Sequence, residues 1–472
     1  MKFFSYLRER IGNKTSIFDY KRRKEYHRDR IAKTDSMKIL HTADLHLGQI
    51  LYQNYDREDE HEHFFTQLEK WCQDERPDAL LVSGDVFDIQ QPSAGMKRFF
   101  NERFVSLARQ NPGMAIVITA GNHDSASRIQ ADSPVWAFAN AHLVGVPPAV
   151  ELSETAEGWE DRFIIRLESG YIIALPYYSG ERKDIVQSIL DRVARENSAG
   201  KPVVMMAHLA ITGTDVTGHG EIGSLRTFEL STMGCGWDYL ALGHIHKPQT
   251  LGHQEDAFNE SVSYPSGVAR YSGSALHVSC DEAYPHTVSV VEIPSHGAEV
   301  NIRQLQIDEL RHFYVLPEAG EPFKSQDEVL EAIRTFCKTV GKGYFRLRLD
   351  AGVVLDSNIN QQVYELIASR DDEVRYNPKP IWEGKAEEES KKEKPVFEVA
   401  ELQQMTDPLV FIEKTLDQYP GIDMDMLRDS FAEVRNEMVR MDNEEKATQT
   451  KKAEKKNKKS NAQDARQEDE KE

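Results

Sequence analysis

Five short clusters carry side chains of the kind that hold divalent metal ions: Asp44-Leu45-His46, Gly84-Asp85-Val86-Phe87-Asp88, Gly121-Asn122-His123-Asp124, Ala207-His208 and Gly243-His244-Ile245-His246. Carboxylate, imidazole and amide oxygen, with no thiolate, suit manganese, iron, zinc or magnesium and argue against a structural zinc. The candidate ligands are Asp44, His46, Asp85, Asn122, His208, His244 and His246. Asp44 and His46 are two residues apart, as are His244 and His246. In an extended segment each pair shares one side and can converge on one ion. A carboxylate such as Asp85 can bridge two ions. Two metals ~3.5–4 Å apart clamp the attacking and leaving oxygens of a phosphoryl displacement and lower the pKa of a bound water. Any one cluster alone is as easily an ordinary loop. The reading rests on all five in succession.

The elements that must position these clusters are short apolar runs ended by Gly or polar residues. Lys38-Ile39-Leu40-His41-Thr42-Ala43, Ala79-Leu80-Leu81-Val82, Ala115-Ile116-Val117-Ile118, Val203-Val204-Met205-Met206 and Tyr239-Leu240-Ala241-Leu242 read as buried strands of an α/β sheet. Each cluster then sits at the C-terminal end of a strand, where ligand sites of open α/β sheets form. Helical spacing separates the strands, as in Phe64, Phe65, Leu68, Trp71 and Cys72. Residues 163–165, 171–175 and 287–291 are strand-like without intervening helices, which predicts a second sheet packed on the first.

Near residue 305 the composition shifts to a small α+β unit. Phe313 to Leu316 reads as a strand. Ser325 caps a helix with Glu328 three residues on. Tyr344 to Leu349 alternates like a half-buried strand, Asn358 to Ile367 is helical, and Val374 to Trp382 is extended. Residues 384–399 are a charged linker. Residues 400–442 hold two amphipathic helices split by Pro420-Gly421, read either as a hairpin on the main body or as a partner-docking segment. Residues 443–472 are almost wholly polar and are expected to be disordered. Residues 1–36 are basic, with Lys21-Arg22-Arg23-Lys24, and read either as a non-native extension or as an arm that touches nucleic acid.

The 472 residues suggest two or three domains, and the net charge of -20 excludes a general nucleic-acid coating protein. It does not exclude a DNA enzyme, because bound metals and a local basic rim can supply positive charge. Cys72, Cys235, Cys280 and Cys337 show neither paired metal spacing nor a disulfide framework. No apolar run spans a bilayer. A cytoplasmic protein without membrane association is expected.

The order D-x-H, G-D-x-x-D, G-N-H-D, a strand-terminal His and G-H-x-H resembles the calcineurin-like metallophosphoesterase superfamily. Within it, residues 39–48, Gly84 to Asp88, Leu242 to His246 and Arg270-Tyr271-Ser272-Gly273-Ser274 resemble the SbcD-type nucleases of bacterial DNA repair. The resemblance covers roughly residues 37–382. It implies a metallophosphoesterase sandwich of two β-sheets flanked by helices over residues 37–304, and a small α+β capping domain over 305–383. It also implies C-terminal helices that dock onto the SMC-like ATPase SbcC. By this resemblance Asp44, His46, Asp85 and His246 hold one metal. Asp85, Asn122, His208 and His244 hold the other, with manganese the expected ion. His123 would act on the phosphate, and Asp88 would orient it. The implied reaction is 3′-to-5′ exonuclease action on duplex DNA with endonuclease cutting of single strands and hairpins, in repair, recombination and replication. The implied assembly is a homodimer within a heterotetramer. Tyr52, Arg57, Arg128 and Arg270, on loops beside the clusters, are candidate DNA contacts.

Other readings are weaker. A protein phosphatase would end the third cluster in Glu and follow Asp88 with Arg-Gly, where this chain has Asp124 and Ile89-Gln90. A cyclic-nucleotide phosphodiesterase would not need the extra unit and helices. A non-catalytic scaffold of the same fold would be expected to lack ligands, and all seven and His123 are present.

Overall fold

The computed structural model describes residues 36–383, apart from residues 53, 149–157, 219–224, 254–257, 280 and 371–372. The basic N-terminal segment, the charged linker, the two amphipathic helices and the polar tail lie outside the described residues.

Two sheets stack face to face. The first has seven strands in the order Ser261–Tyr264, Val300–Gln306, Thr287–Ile293, Met37–Thr42, Ala79–Ser83, Ala115–Thr119, Ala141–Val144. Its last four strands are mutually parallel, and Thr287–Ile293 joins Met37–Thr42 antiparallel. The second sheet has six strands, and its centre is Tyr239–Gly243 parallel to Val203–His208.

The period of two along each strand divides the core. Ile39, Leu81 and Val117 face the second sheet and pack with Ile173, Met205 and Leu240. Leu40, Leu80, Val82, Ile116 and Ile118 face the helices instead. Because both faces of the central strands are covered, these segments are continuously apolar. Helix Glu58–Glu75 places Glu58, Asp59 and Glu60 in its first turn, where they complement the helix dipole, and buries Phe64, Phe65, Leu68 and Cys72. Helix Ala94–Gln110 is capped by Ser93, whose side chain accepts the Met96 N–H at 3.1 Å, and buries Phe99, Phe100 and Phe104.

A third sheet follows, with Gly343–Asp350 parallel to both His312–Leu316 and Val374–Tyr376. It has its own apolar core around Val329, Ile333, Phe345 and Leu347. Ser325 caps helix Gln326–Thr339 by accepting the Glu328 N–H at 3.3 Å, and helix Ile359–Ile367 lies where sequence spacing predicts it. No helix among the described residues is long and apolar enough to cross a membrane.

The third sheet meets the main body through a buried ionic junction. Glu60, 3% exposed, accepts from Arg57 Nε at 3.0 Å, Arg57 Nη2 at 2.6 Å, Arg375 Nη1 at 2.9 Å and Arg311 Nη1 at 3.3 Å. The Tyr344 hydroxyl donates to the same carboxylate and stacks on Phe313 with centroids 4.6 Å apart. Removing one member of such a network strands buried charge, at a cost of about 3–5 kcal/mol. Glu60→Ala is therefore expected to lower stability by that amount in urea unfolding. A loss below about 1 kcal/mol would show that the junction does not hold the third sheet.

Candidate active site

The clusters converge at the C-terminal edges of the two stacked sheets. They do so by a route that period-two alternation does not describe. Asp44 (φ 51°), His46 (φ 44°), Asp85 (φ 45°) and His244 (φ 95°) all lie at positive φ, so neither D-x-H nor G-H-x-H is an extended segment. Non-glycine residues reach this region at a cost of about 1–2 kcal/mol each, and their clustering marks a strained functional loop set. Neighbouring loops hold the strain. The Asp44 N–H donates to Gly84 O at 3.1 Å and the His46 N–H to Asp85 O at 3.0 Å. The Asp44 carboxylate accepts the His244 N–H at 3.0 Å, and Asp85 Oδ1 accepts the His123 N–H at 2.8 Å.

Ligating atoms of Asp44, His46 and His246 all lie within 4.8 Å of one another, as do those of Asp85, His208 and His244. Asp85 stands between the two sets, with Oδ2 3.3 Å from His208 Nε2 and 3.8 Å from His46 Nε2. Asn122 Oδ1 lies 3.0 Å from His208 Nε2. All seven candidate ligands are thus brought to one place. The donor set fits divalent cations, and His46 Nε2 is buried with no hydrogen-bond partner.

Electrostatics point the same way. Burial raises the Asp44 pKa, and the Asp85 charge adds to it. Burial also opposes ionisation of Asp85, but His208, His46 and His123 outweigh it and hold this carboxyl well below the usual range. Burial disfavours charge on His208, yet Asp85 and Asp44 raise it to about 9. A site that favours a cationic imidazole this strongly also favours a metal cation.

The far nitrogens of His208, His246 and His46 are held. His208 Nδ1 donates to Ser83 O at 2.8 Å, and His246 Nδ1 pairs with Glu282 Oε1 at 2.9 Å. Asp88 serves two histidines, and its expected role needs correction. Its carboxylate meets His46 Nδ1 at 3.1 Å, whereas His123 Nδ1 donates to the Asp88 main-chain carbonyl at 2.8 Å. The Asp88 side chain is engaged by the candidate ligand His46, so the contact that Asp88 makes with His123 runs through its backbone.

Sequence reasoning missed two buried carboxylates. Glu282 lies 36 residues beyond His246, with no local pattern to mark it. Asp124 accepts the N–H groups of Gly121, Val86 and Phe87 at 2.9–3.0 Å, tying two clusters together, and burial beside Asp85 pushes it up to about 6. Its place in G-N-H-D was the available signal.

The site opens into a cavity of about 470 Å³ lined by His123, Asp88, Tyr177, Arg226, Phe228 and Val278 among others. His123 is exposed at its mouth. The candidate DNA contacts divide sharply. Arg57 is 2% exposed and spent on Glu60, Gln49 and the His277 carbonyl. Arg270 is 0% exposed and donates to Ser289 and Thr250 at 2.8 Å. Neither reaches a DNA backbone. Half-buried Tyr52 packs edge-on against Tyr344 at the third-sheet junction, not in the cavity. Arg128 alone of the four is exposed, on helix Ala126–Trp136 just beyond His123. Arg226, which sequence reading passed over, is exposed on the cavity wall with its guanidinium 5.3 Å from the Phe228 ring centroid.

Glycines before the ligands permit the close approach. A Cβ on Gly84 (φ 82°) would overlap the His208 imidazole, one on Gly121 the Asp85 carboxylate, and one on Gly243 the Ser83 carbonyl. Gly84→Ala is expected to weaken divalent-metal binding by about 10-fold or more, the scale for disturbing a ligand's support. Calorimetric titration measures this, and wild-type affinity in the variant would refute the packing argument.

The calcineurin-like phosphoesterase family profile matches residues 37–248, a span holding all five clusters. The chain is 31% identical over 297 residues to the SbcD subunit of nuclease SbcCD from Rhodobacter capsulatus, covering 56% of this chain and 69% of that protein. It is 29% identical over 300 residues to the SbcD subunit of nuclease SbcCD from Escherichia coli K12, covering 57% and 68%. It is 26% identical over 276 residues to the DNA double-strand break repair protein Mre11 of Aeropyrum pernix, covering 56% and 64%. The chain belongs to the calcineurin-like phosphoesterases and, among them, to the SbcD family of nucleases.

Proposed function

We propose that this chain is a metal-dependent DNA nuclease that works with two ions, manganese by preference. The observation that carries the reading is Asp85 standing between two ligand sets, Asp44-His46-His246 on one side and His208-His244 with Asn122 on the other. Those residues would hold the ions. Once bound, the ions would neutralise phosphodiester charge and acidify a water.

The chain's own groups supply the rest. The Asp88 carbonyl can only accept, so His123 Nδ1 carries the hydrogen. That leaves Nε2 at the cavity mouth, where the doubly protonated ring would donate a proton to the leaving oxygen and be left neutral. Arg226 and Arg128 are placed to contact flanking phosphates. The substrate assignment, 3′-to-5′ degradation of duplex DNA with cutting of single strands and hairpins, is supported by family membership. So are a cytoplasmic location and partnership with the ATPase SbcC through residues 400–442. In this reading residues 305–383 form the cap that shapes DNA access. A homodimer is supported by Val135 and Phe138, 73% and 96% exposed and three residues apart in sequence.

Purified protein with manganese is expected to degrade linear duplex DNA. His123→Ala should slow cleavage by about 100-fold or more while manganese binding is retained. Undiminished cleavage by that variant would overturn the proton-transfer role. Faster turnover of a phosphopeptide than of any DNA would overturn the nuclease reading. Phe138→Glu should convert a dimer to a monomer in sedimentation, and an unchanged mass would move the dimer contact elsewhere.

A further inference from the structure

Glu282 is a carboxylate with 0% side-chain exposure, and it lies beside the site without belonging to any ligand cluster. Burying an ionised group is costly unless it is paired and hydrogen-bonded. Here Oε1 takes His246 Nδ1 at 2.9 Å and Oε2 takes the Val278 N–H at 2.9 Å. A second imidazole, His286, approaches Oε2 at 3.5 Å. Gly218 lies so close that a Cβ there would overlap the Glu282 stem.

The analogous pair on the other histidine of the same ligand set is wetter. Asp88 meets His46 with 24% of its side chain exposed and a distance of 3.1 Å. Charge–imidazole interactions strengthen as water is excluded, so the dry Glu282–His246 pair exerts the stronger hold. One imidazole nitrogen is thereby fixed as a donor to carboxylate, and the ring is turned toward the ligating atoms of Asp44 and His46.

We propose that Glu282 is a positioning residue that orients His246 for metal capture at the Asp44-His46-His246 set. The inference rests on the two-ion reading above. Glu282 touches neither substrate nor ion and acts only through His246. It predicts a lesion confined to one of two binding events, because in the Asp85-His208-His244 set the His208 imidazole takes its support from the Ser83 carbonyl.

The test is calorimetric titration of the full chain with manganese, with thermal unfolding of the same samples. Glu282→Ala is expected to weaken one of the two binding events by about 10- to 100-fold and leave the other in place. Cleavage by this variant should need a correspondingly higher manganese concentration and recover near wild-type kcat at saturation. Glu282→Gln keeps one acceptor for His246 but sets an amide N–H against the Val278 N–H, so its loss should be intermediate. Should Glu282→Ala fail to fold, Glu282→Gln carries the test. Lowered thermal stability with an unchanged manganese isotherm would overturn the proposal, because a loop anchor alone would behave that way. Wild-type protein that binds no manganese would instead overturn the two-ion reading.

Discussion

Two aspartates at adjacent strand ends impose the constraint from which the rest of the site follows. Asp44 is 1% exposed and Asp85 2% exposed, and both point into the same space. Like charges removed from water repel strongly, since screening falls with the local dielectric. Such a pair persists only where positive charge is supplied to both. His46, His208 and His246 supply part of it, and the ligating atoms gathered on each side of Asp85 are of the kind that would hold a divalent cation.

That requirement reaches back into the backbone. Strand ends a few ångströms apart must turn ligands inward without steric overlap. Positive-φ aspartates and histidines, with glycines at Gly84, Gly121 and Gly243, make the turn. The strain is held by loop-to-loop hydrogen bonds and by Asp124, which gathers three N–H groups from two loops. The parallel register of strands Met37–Thr42, Ala79–Ser83 and Ala115–Thr119 brings those loops level with one another. The packed sandwich beneath them is rigid enough to keep them there.

The arginines show how burial redirects residues that look functional. Arg57 and Arg270 sit beside metal clusters in sequence, yet both point into the protein. Arg57 joins the Glu60 junction that fastens the third sheet, and Arg270 crosses to the strand Thr287–Ile293 to reach Ser289. The cation on the cavity wall, Arg226, belongs to a segment with no ligand in it. Proximity in sequence to a candidate ligand therefore predicts little about exposure: Arg57 turns inward at the start of helix Glu58–Glu75, and Arg270 turns inward from the strand Val268–Tyr271.

The seven candidate ligands were legible from residue type and from their places at strand ends, and the fold brings them together. Both features are local, since continuous apolar runs and terminal glycines are written over a few residues. The sheet-forming segments, the Ser325 cap and the helix Ile359–Ile367 were legible for the same reason. What sequence alone could not supply was every relation across long separations. The Asp88 carboxylate holds His46 rather than His123, Glu282 holds His246, and Tyr52 joins the third sheet rather than the cavity. Those pairings depend on which way a loop turns at positive φ and on which strands become neighbours. Only the packing of the two sheets and the third-sheet junction decides either.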